Sequence, residues 1–276
     1  MIRGTTTLIA HFGDPIAPVK APMIYNPYFE QKGIDAVVVP MGVRAADYPT
    51  TLKSVFRFTN LRGALVTMPH KVTTVALLDD CSTTVKVAGA CNAVLLRPDG
   101  TLYGEMFDGG GFVRGVERKG FPLRGARCLV VGTGGVGSAI AAALAGAGAG
   151  AIALWDTYAP GRDALAARLS QHYPAIEVRT DTRDPQGFDL VVNGTPLGMN
   201  ADDPLPVDVT RLSASTFVGE VVMKQEITPL LRAARERGCP TQIGTDMLFE
   251  QIPLYLEFFG FGHATADELR AVAQLA

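Results

Sequence analysis

A run of glycines between two apolar segments constrains this chain more than any other feature. The apolar run Cys128–Val131 stops at Gly132, Thr133, Gly134, Gly135, Val136 and Gly137, and the chain continues as an Ala- and Leu-rich stretch over Ser138–Gly148. That order reads as a buried strand, a G-x-G-x-x-G turn and a helix. Gly132 permits the tight turn, Gly134 lets the backbone approach a pyrophosphate, and Gly137 lets the helix pack closely on the strand. The N-terminus of the helix then presents unbonded N–H groups to phosphates. By itself the glycine pattern is weak, because any tight strand-to-helix turn needs glycines. A second apolar run, Ala151–Leu154, ends at Asp156, and an acid about 20 residues beyond the turn strengthens the dinucleotide reading. At that strand tip its carboxylate is expected to accept both adenosine ribose hydroxyls and to repel a 2′-phosphate. The nearest cation is Arg162, so NAD is expected in preference to NADP.

The bulk numbers fit a soluble globular protein better than a nucleic-acid or membrane protein. At 276 residues, with 47% hydrophobic and 19% charged residues, the chain can form one large or two modest domains with an ample core. A net charge of −2 leaves no basic footprint for nucleic acid or an acidic membrane. Cys81, Cys91, Cys128 and Cys239 are widely spaced without a C-x-x-C, and the N-terminal residues do not resemble a signal peptide, which predicts a reducing cytoplasm. The stretch Ala139–Leu154 is broken by glycines and too short to span a membrane. The expected partner is a small-molecule substrate, with the chain a monomer or homodimer and no metal site.

Taken in order, the chain alternates strands and helices. Thr5–Ala10 reads as a strand turned by Gly13-Asp14-Pro15, Ala17–Pro22 as extended by its prolines, Met23–Lys32 as a helix ended by Gly33, and Ala36–Pro40 as a buried strand. After a helix about Ala45–Phe58, the strand Gly63–Thr67 runs into Met68-Pro69-His70-Lys71, where a proline suits a helix start. Two apolar runs flank the Pro98-Asp99-Gly100 turn as a hairpin. Gly109, Gly110 and Gly111 read as a hinge into the next unit. Further on, Asp163–His172 is expected as a helix, Glu177–Thr180, Asp189–Asn193 and Phe217–Met223 as strands, Thr228–Gly238 as a helix, and Gly244–Phe261 as a helical tail. Repeated alternation of this kind predicts doubly wound sheets, whose ligands gather at the carboxyl ends of strands. Read alone, Lys71 is an ordinary solvated lysine, His70 an ordinary half-exposed histidine, and Asp108 a cap for the helix that follows.

The motifs VTMPHK (66–71), GACN (89–92), FDGGG (107–111), the glycine turn, NGTPLGM (193–199), TPLL (228–231) and GTDMLFEQ (244–251) resemble, in order and separation, those of the shikimate/quinate dehydrogenase family over nearly the whole chain. The resemblance implies two α/β domains flanking a cleft: a substrate domain of residues 1–109 and 243–276, and a Rossmann domain of residues 110–242 inserted in it. It also implies a nicotinamide-dependent alcohol dehydrogenase of the kind found in aromatic amino acid biosynthesis. Lys71 and Asp108 match the catalytic pair, and Thr67, Asn92 and Gln251 match residues that hold ring hydroxyls. Asn193, Thr195 and Leu197 match the loop beside the nucleotide, and Val221 matches a position near the nicotinamide. Gly244 matches a backbone position lining the pocket and is grouped with the cofactor contacts.

The chemistry of that pair is coherent. Oxidising a secondary alcohol sends a hydride to the nicotinamide and the hydroxyl proton to a base, and a lysine serves as base where desolvation lowers its pKa from about 10.4. Lys71 is thus expected as proton acceptor and Asp108 as its orienting partner. The chain departs from the family at the end of the pocket that grips a carboxylate. Val19 and Ala21 replace two serines before Pro22, Leu65 an asparagine, Phe107 a threonine and Met223 a tyrosine, with only Lys20 nearby as a charge. These departures predict a less polar cyclic alcohol or ketone that keeps vicinal hydroxyls, in place of shikimate. Two rival readings are a dehydrogenase of an amino-substituted or aromatic-precursor ring, and a non-catalytic NAD-binding regulatory protein. A binding module has no reason to keep a proton-transfer pair.

Overall fold

The apolar runs near the N-terminus pair side by side. In the computed structural model, which describes residues 2–200 and 202–275, β1 (Thr7–Gly13) lies between β2 (Ala36–Gly42) and β3 (Leu61–Val66), parallel to both. The expected hairpin follows as β5 (Ala93–Leu96) and β6 (Leu102–Glu105), antiparallel to each other, with β5 antiparallel to β3. The short β4 (Asp80–Cys81) completes a mixed sheet of order β2-β1-β3-β5-β6-β4. Pro40, which donates no ladder hydrogen bond, is tolerated because β2 is an edge strand.

Helices α1 (Pro22–Lys32), α2 (Tyr48–Val55), α3 (Lys71–Val75) and α4 (Thr83–Ala88) link these strands. Gly33 closes α1 in the left-handed region at φ 67°, as its place after the periodic run required. Two local expectations are corrected. Ala17–Pro22 is not extended: the Val19 amide donates to the Ile16 carbonyl at 3.2 Å, and Ala21 is already helical. A proline's fixed φ suits a turn or a first helical residue as well as an extended chain. Pro69 does not open α3 either; His70 is its N-cap and Lys71 its first residue.

The glycine turn organises a second sheet, ordered β12-β11-β10-β7-β8-β9 and parallel throughout. Its strands are β7 (Arg127–Val131), β8 (Ala151–Trp155), β9 (Glu177–Arg179), β10 (Leu190–Asn193), β11 (Phe217–Glu220) and β12 (Thr241–Gln242). β11 stops at Glu220, so Val221 and Met223 lie in the loop beyond it. Around the sheet run α5 (Asp108–Arg118), α6 (Gly135–Gly146), α7 (Ala159–His172), α8 (Pro229–Glu236) and α9 (Gly244–Phe258). One apolar core joins Phe112, Ile140, Leu144, Ile152, Leu190 and Phe217, and another joins Leu129, Val191, Val218 and Leu231. The final helix, α10 (Ala266–Val272), carries a capping box between Thr265 and Glu268.

Gly109, Gly110 and Gly111 form no hinge loop; they lie inside α5. A Cβ on Gly109 would sit 2.0 Å from the Ala139 carbonyl oxygen, and one on Gly111 would sit 2.6 Å from the Met247 carbonyl oxygen. These two glycines let α5 approach its neighbours where any side chain would collide.

Contacts divide the chain into two units, one of Met1–Val85, Gly89–Phe107 and Ile252–Ala276, the other of Lys86–Ala88 and Asp108–Gln251. The sequence places its junctions at residues 109/110 and 242/243, whereas the contacts place them at 107/108 and 251/252, so most of α9 goes with the second unit. Among the described residues, no helix is long and apolar enough to cross a membrane.

Candidate active site

In the second unit, β7 delivers the chain into Gly132, whose φ of 92° is in the left-handed region that a side chain resists. A Cβ on Gly137 would stand 1.8 Å from the Gly132 carbonyl oxygen, so helix and turn meet backbone to backbone. Gly134 is the N-cap of α6 and offers no side-chain cap. At Gly134 and Gly135 a Cβ would meet nothing within 4 Å. The first N–H groups of α6 therefore open onto space at the carboxyl edge of the sheet, an arrangement that fits a pyrophosphate.

Asp156 follows β8 as expected but turns its carboxylate onto its own loops. Oδ2 accepts the Thr133 amide at 2.6 Å and the Thr133 hydroxyl at 3.1 Å. Oδ1 accepts the Tyr158 amide at 2.8 Å and the Thr157 hydroxyl at 3.4 Å. Burial works to raise this carboxyl, but the hydrogen bonds from Tyr158 and Thr133 outweigh it and hold the pKa below the usual range. The residue braces the glycine turn.

Asn193, Thr195 and Leu197 form one knot at the end of β10. Asn193 Oδ1 accepts the Thr195 amide at 3.1 Å and its hydroxyl at 2.6 Å, while Nδ2 donates to the Leu197 carbonyl at 2.9 Å. The partner that sequence reasoning missed is Glu220, which is 0% exposed. Its carboxylate accepts from Asn193 Nδ2, from the Val221 and Val222 amides at 2.8 and 3.1 Å, and from the Thr228 hydroxyl at 2.8 Å. Thr228 is also the N-cap of α8. One buried acid thus ties two loops at the strand ends, residues 193–199 and residues 221–228, the second including the Val221 position. An acid closing the apolar run Phe217-Val218-Gly219 was the available signal.

Asp108 is 5% exposed and heads α5. One turn on, the missing Cβ of Gly111 leaves room for Cβ of Gln251, which it would otherwise meet at 2.6 Å, so Asp108 and Gln251 belong to one neighbourhood. Gly244 has a packing reason to be glycine, since a Cβ there would lie 2.2 Å from the Val222 carbonyl oxygen.

In the first unit, Thr67, Lys71 and Asn92 come together at the end of β3. The Thr67 amide donates to the Phe12 carbonyl at 2.9 Å, and the His70 amide donates to the Thr67 carbonyl at 3.0 Å. The Lys71 carbonyl accepts the Cys91 amide, and the Asn92 carbonyl accepts the Val66 amide, each at 2.9 Å. Asn92 Oδ1 takes the Phe107 amide at 2.9 Å, which fixes the amide side chain. His70 is not half-exposed; it is buried to 1% exposure. Its ring stacks on Tyr48 at 4.0 Å and Nε2 bonds the Val43 carbonyl at 2.8 Å. Burial lowers its pKa, against the hydrogen bond to the Val43 carbonyl and the charge of Asp14. The neutral ring anchors the helix that Lys71 begins.

The departures from the family pattern are also visible. Phe107 packs edge-on against Tyr255 at 4.8 Å and Phe258 at 5.4 Å. Val19 and Ala21 are half-buried, Lys20 is exposed, and Met223 is 44% exposed.

The profile of the shikimate dehydrogenase substrate-binding domain matches residues 12–94, and that of the ThiF family matches residues 117–158. The shikimate dehydrogenase (NADP(+)) of Paramagnetospirillum magneticum is 32% identical, over 98% of this chain and 99% of that protein. Shikimate 5-dehydrogenase of Listeria monocytogenes, solved with shikimate and NAD, has a TM-score of 0.90 at 25% identity, covering 98% of this chain and 97% of that one. Ligand-free 5-ketofructose reductase of Gluconobacter sp. strain CHM43 has a TM-score of 0.89 at 26% identity, covering 99% of each chain.

These relatives correct the expected preference for NAD over NADP. Curated relatives that resemble the chain along most of its length are named as NADP(+)-dependent shikimate dehydrogenases. Asp156, which carried the expectation, has both carboxylate oxygens engaged by Thr133, Thr157 and Tyr158. It is not an acceptor reserved for ribose.

Proposed function

Because this chain belongs to the shikimate/quinate dehydrogenase family, we propose that it oxidises a ring hydroxyl, or reduces the matching ketone, with a nicotinamide dinucleotide. The observation that carries this reading is the uncapped N-terminus of α6, open above Gly134 and Gly135. Gly134, Gly135, Val136 and Gly137 would hold the pyrophosphate, with Asn193, Thr195, Leu197 and Val221 beside the nucleotide. The names of the curated relatives support NADP(H). When bound, the nicotinamide supplies or accepts the hydride.

The chain's own residues do the rest. Lys71 takes the hydroxyl proton through its amine, and Asp108 orients that amine and the same hydroxyl. Thr67, Asn92 and Gln251 hold neighbouring hydroxyls. The buried anchors His70 and Tyr48 support this role, since a proton acceptor works only from a fixed position. The first unit is the substrate-binding unit and the second the dinucleotide-binding unit.

A substrate without a carboxylate is favoured over shikimate by Val19, Ala21 and Leu65, where the family pattern has polar side chains. A buried carboxylate stripped of several hydrogen-bond partners binds weaker by orders of magnitude. The likeness to a reductase named for 5-ketofructose points the same way.

The test is a panel of shikimate, quinate, and uncharged cyclic polyols and ketones, assayed with NADP(H) and NAD(H) by absorbance of the reduced cofactor. Lys71→Ala is expected to lower kcat by roughly 10²- to 10⁴-fold while dinucleotide affinity is unchanged. Retention of most turnover by that variant refutes the proton-acceptor role. Dinucleotide binding without turnover on any member refutes the enzyme reading in favour of a regulatory protein.

A further inference from the structure

Side chains along β1 alternate between the two faces of its sheet. Phe12 sends its ring toward Tyr48, 5.8 Å away, on the side of α2. Gly13 and His11 therefore face the other way, and a Cβ on Gly13 would lie 2.5 Å from Cγ2 of Thr67. His11 is in parallel register with Leu65 on β3. Gly63, on the same face of β3, lies under the ring of Phe259, which would be 2.4 Å from a Cβ there. His11, Leu65 and Thr67 thus share one face, and Thr67 is the residue matched to a substrate hydroxyl.

His11 is 8% exposed, and its Nδ1 is sealed from solvent with no hydrogen-bond partner among the described residues. Buried polar atoms in folded proteins are overwhelmingly paired, and an exception asks for a functional partner or a bound solvent molecule. Leu65, alongside, is where the family pattern has an asparagine, and its side chain offers no polar atom. The polar group of the family pattern is missing from β3, and a buried polar ring stands on the same rung of β1.

Resting on the dehydrogenase reading above, we propose that His11 is a specificity-determining residue of the substrate site. Its imidazole hydrogen-bonds an uncharged hydroxyl or carbonyl oxygen of the substrate, in place of the polar side chain lost at position 65. Burial and then the positive charge of Lys71 push the His11 pKa down to about 4, which leaves the ring neutral at neutral pH. A neutral ring offers one donor and one acceptor. It suits a hydroxyl or ketone oxygen and does not offset the charge of a buried carboxylate. That same coupling brings the imidazole within electrostatic range of the amine assigned to proton transfer. The substrate class is therefore a polyhydroxylated ring alcohol or ketone without a carboxylate.

The experiment compares wild type, His11→Val, His11→Asn and the double variant His11→Val/Leu65→Asn on the substrate panel, with NADP(H) affinity and thermal unfolding as controls for folding. His11→Val is expected to raise KM for the best uncharged substrate roughly tenfold with little change in kcat. His11→Asn, which keeps an amide near the position of Nδ1, and the double variant, which returns an amide to β3, are each expected to recover most of that loss. If wild type turns over substrate and folded His11→Val keeps the same KM, the His11 assignment is overturned and the dehydrogenase reading stands. A failure of the double variant to recover while His11→Asn succeeds restricts the role to β1 and still supports it. If wild type turns over no member of the panel, the dehydrogenase reading falls, and the His11 assignment with it.

Discussion

Glu220 and Asn193 meet side chain to side chain at the carboxyl edge of the parallel sheet, with Asn193 Nδ2 2.9 and 3.2 Å from the two carboxylate oxygens. β10 and β11 are paired in register at these two residues, so the contact crosses one rung of the ladder. Through it the loop of residues 193–199 is fastened to the chain that leaves β11. The cluster is buried, and among the described residues no cation donates to the carboxylate.

That arrangement predicts unequal costs for two substitutions. Glu220→Ala leaves the Val221 and Val222 amides and the Asn193 side chain short of an acceptor, a loss of about 3 kcal/mol. Glu220→Gln keeps one oxygen for the two amides and costs about 1 kcal/mol. Urea unfolding at neutral pH measures both. Equal costs would show that the carboxylate is not the shared acceptor.

The same acid sets a pH dependence. Burial raises the Glu220 carboxyl above its ordinary 4.5, and hydrogen bonds from Val222, Asn193, Thr228 and Val221 pull it back only in part. The native state therefore holds this proton at a pH where the unfolded chain has released it. Its contribution to stability is complete below the ordinary value and is lost as pH rises through the folded one. The stability of wild type relative to Glu220→Gln should fall as pH rises above the ordinary 4.5, as read by unfolding curves at each pH. A constant difference contradicts the raised carboxyl.

His11 works in the opposite direction. Its pKa is lowered from 6.5 to about 4, so the unfolded chain takes up a proton first as pH falls. The stability held by the neutral ring is complete above 6.5 and is lost through 4, a swing of about 3 kcal/mol. Wild type should lose more thermal stability than His11→Val on going from neutral pH to about pH 4.5. Parallel losses would mean that the ring is not buried neutral.

Asp156 should behave as a brace. Replacing it with Ala frees the Thr133 and Tyr158 amides and is expected to cost about 1–2 kcal/mol. Affinity for NAD and NADP should weaken together, so that their ratio moves less than about threefold. A ratio shifted more than tenfold would show a residue that reads the ribose directly.

Two glycines of the turn separate fold from ligand. Gly137→Ala places a Cβ 1.8 Å from the Gly132 carbonyl oxygen and should destabilise the protein by about 3 kcal/mol or more. Gly134→Ala meets nothing within 4 Å; it should change stability by less than about 1 kcal/mol yet weaken dinucleotide binding. Calorimetry of the dinucleotide, together with melting curves, distinguishes the two effects. Unchanged binding by Gly134→Ala would remove the pyrophosphate from that position.

Local chemistry was enough to read the strand–turn–helix at Gly132–Gly137, the hairpin around Pro98–Gly100, the Gly33 helix stop and the Thr228-Pro229 helix start. Each depends on φ, on a missing N–H or on apolar periodicity within a few residues. The order of motifs along the chain identified the family. Contacts between residues far apart in sequence decided the rest. Asp156 was legible as an acid at a strand tip, but not that Thr133, 23 residues earlier, would claim its carboxylate. Gly109–Gly111 looked like a hinge because the helices they pack against lie elsewhere in the chain. Glu220 was legible only as an acid closing an apolar run, and His11 carried no local signature: one became a hub, and the other a neutral buried base, only when parallel strands set them beside Asn193 and Leu65. Residue types and spacing determine which backbone shapes are allowed, whereas the partner of a buried polar group is chosen by the register of strands that meet only in the folded protein.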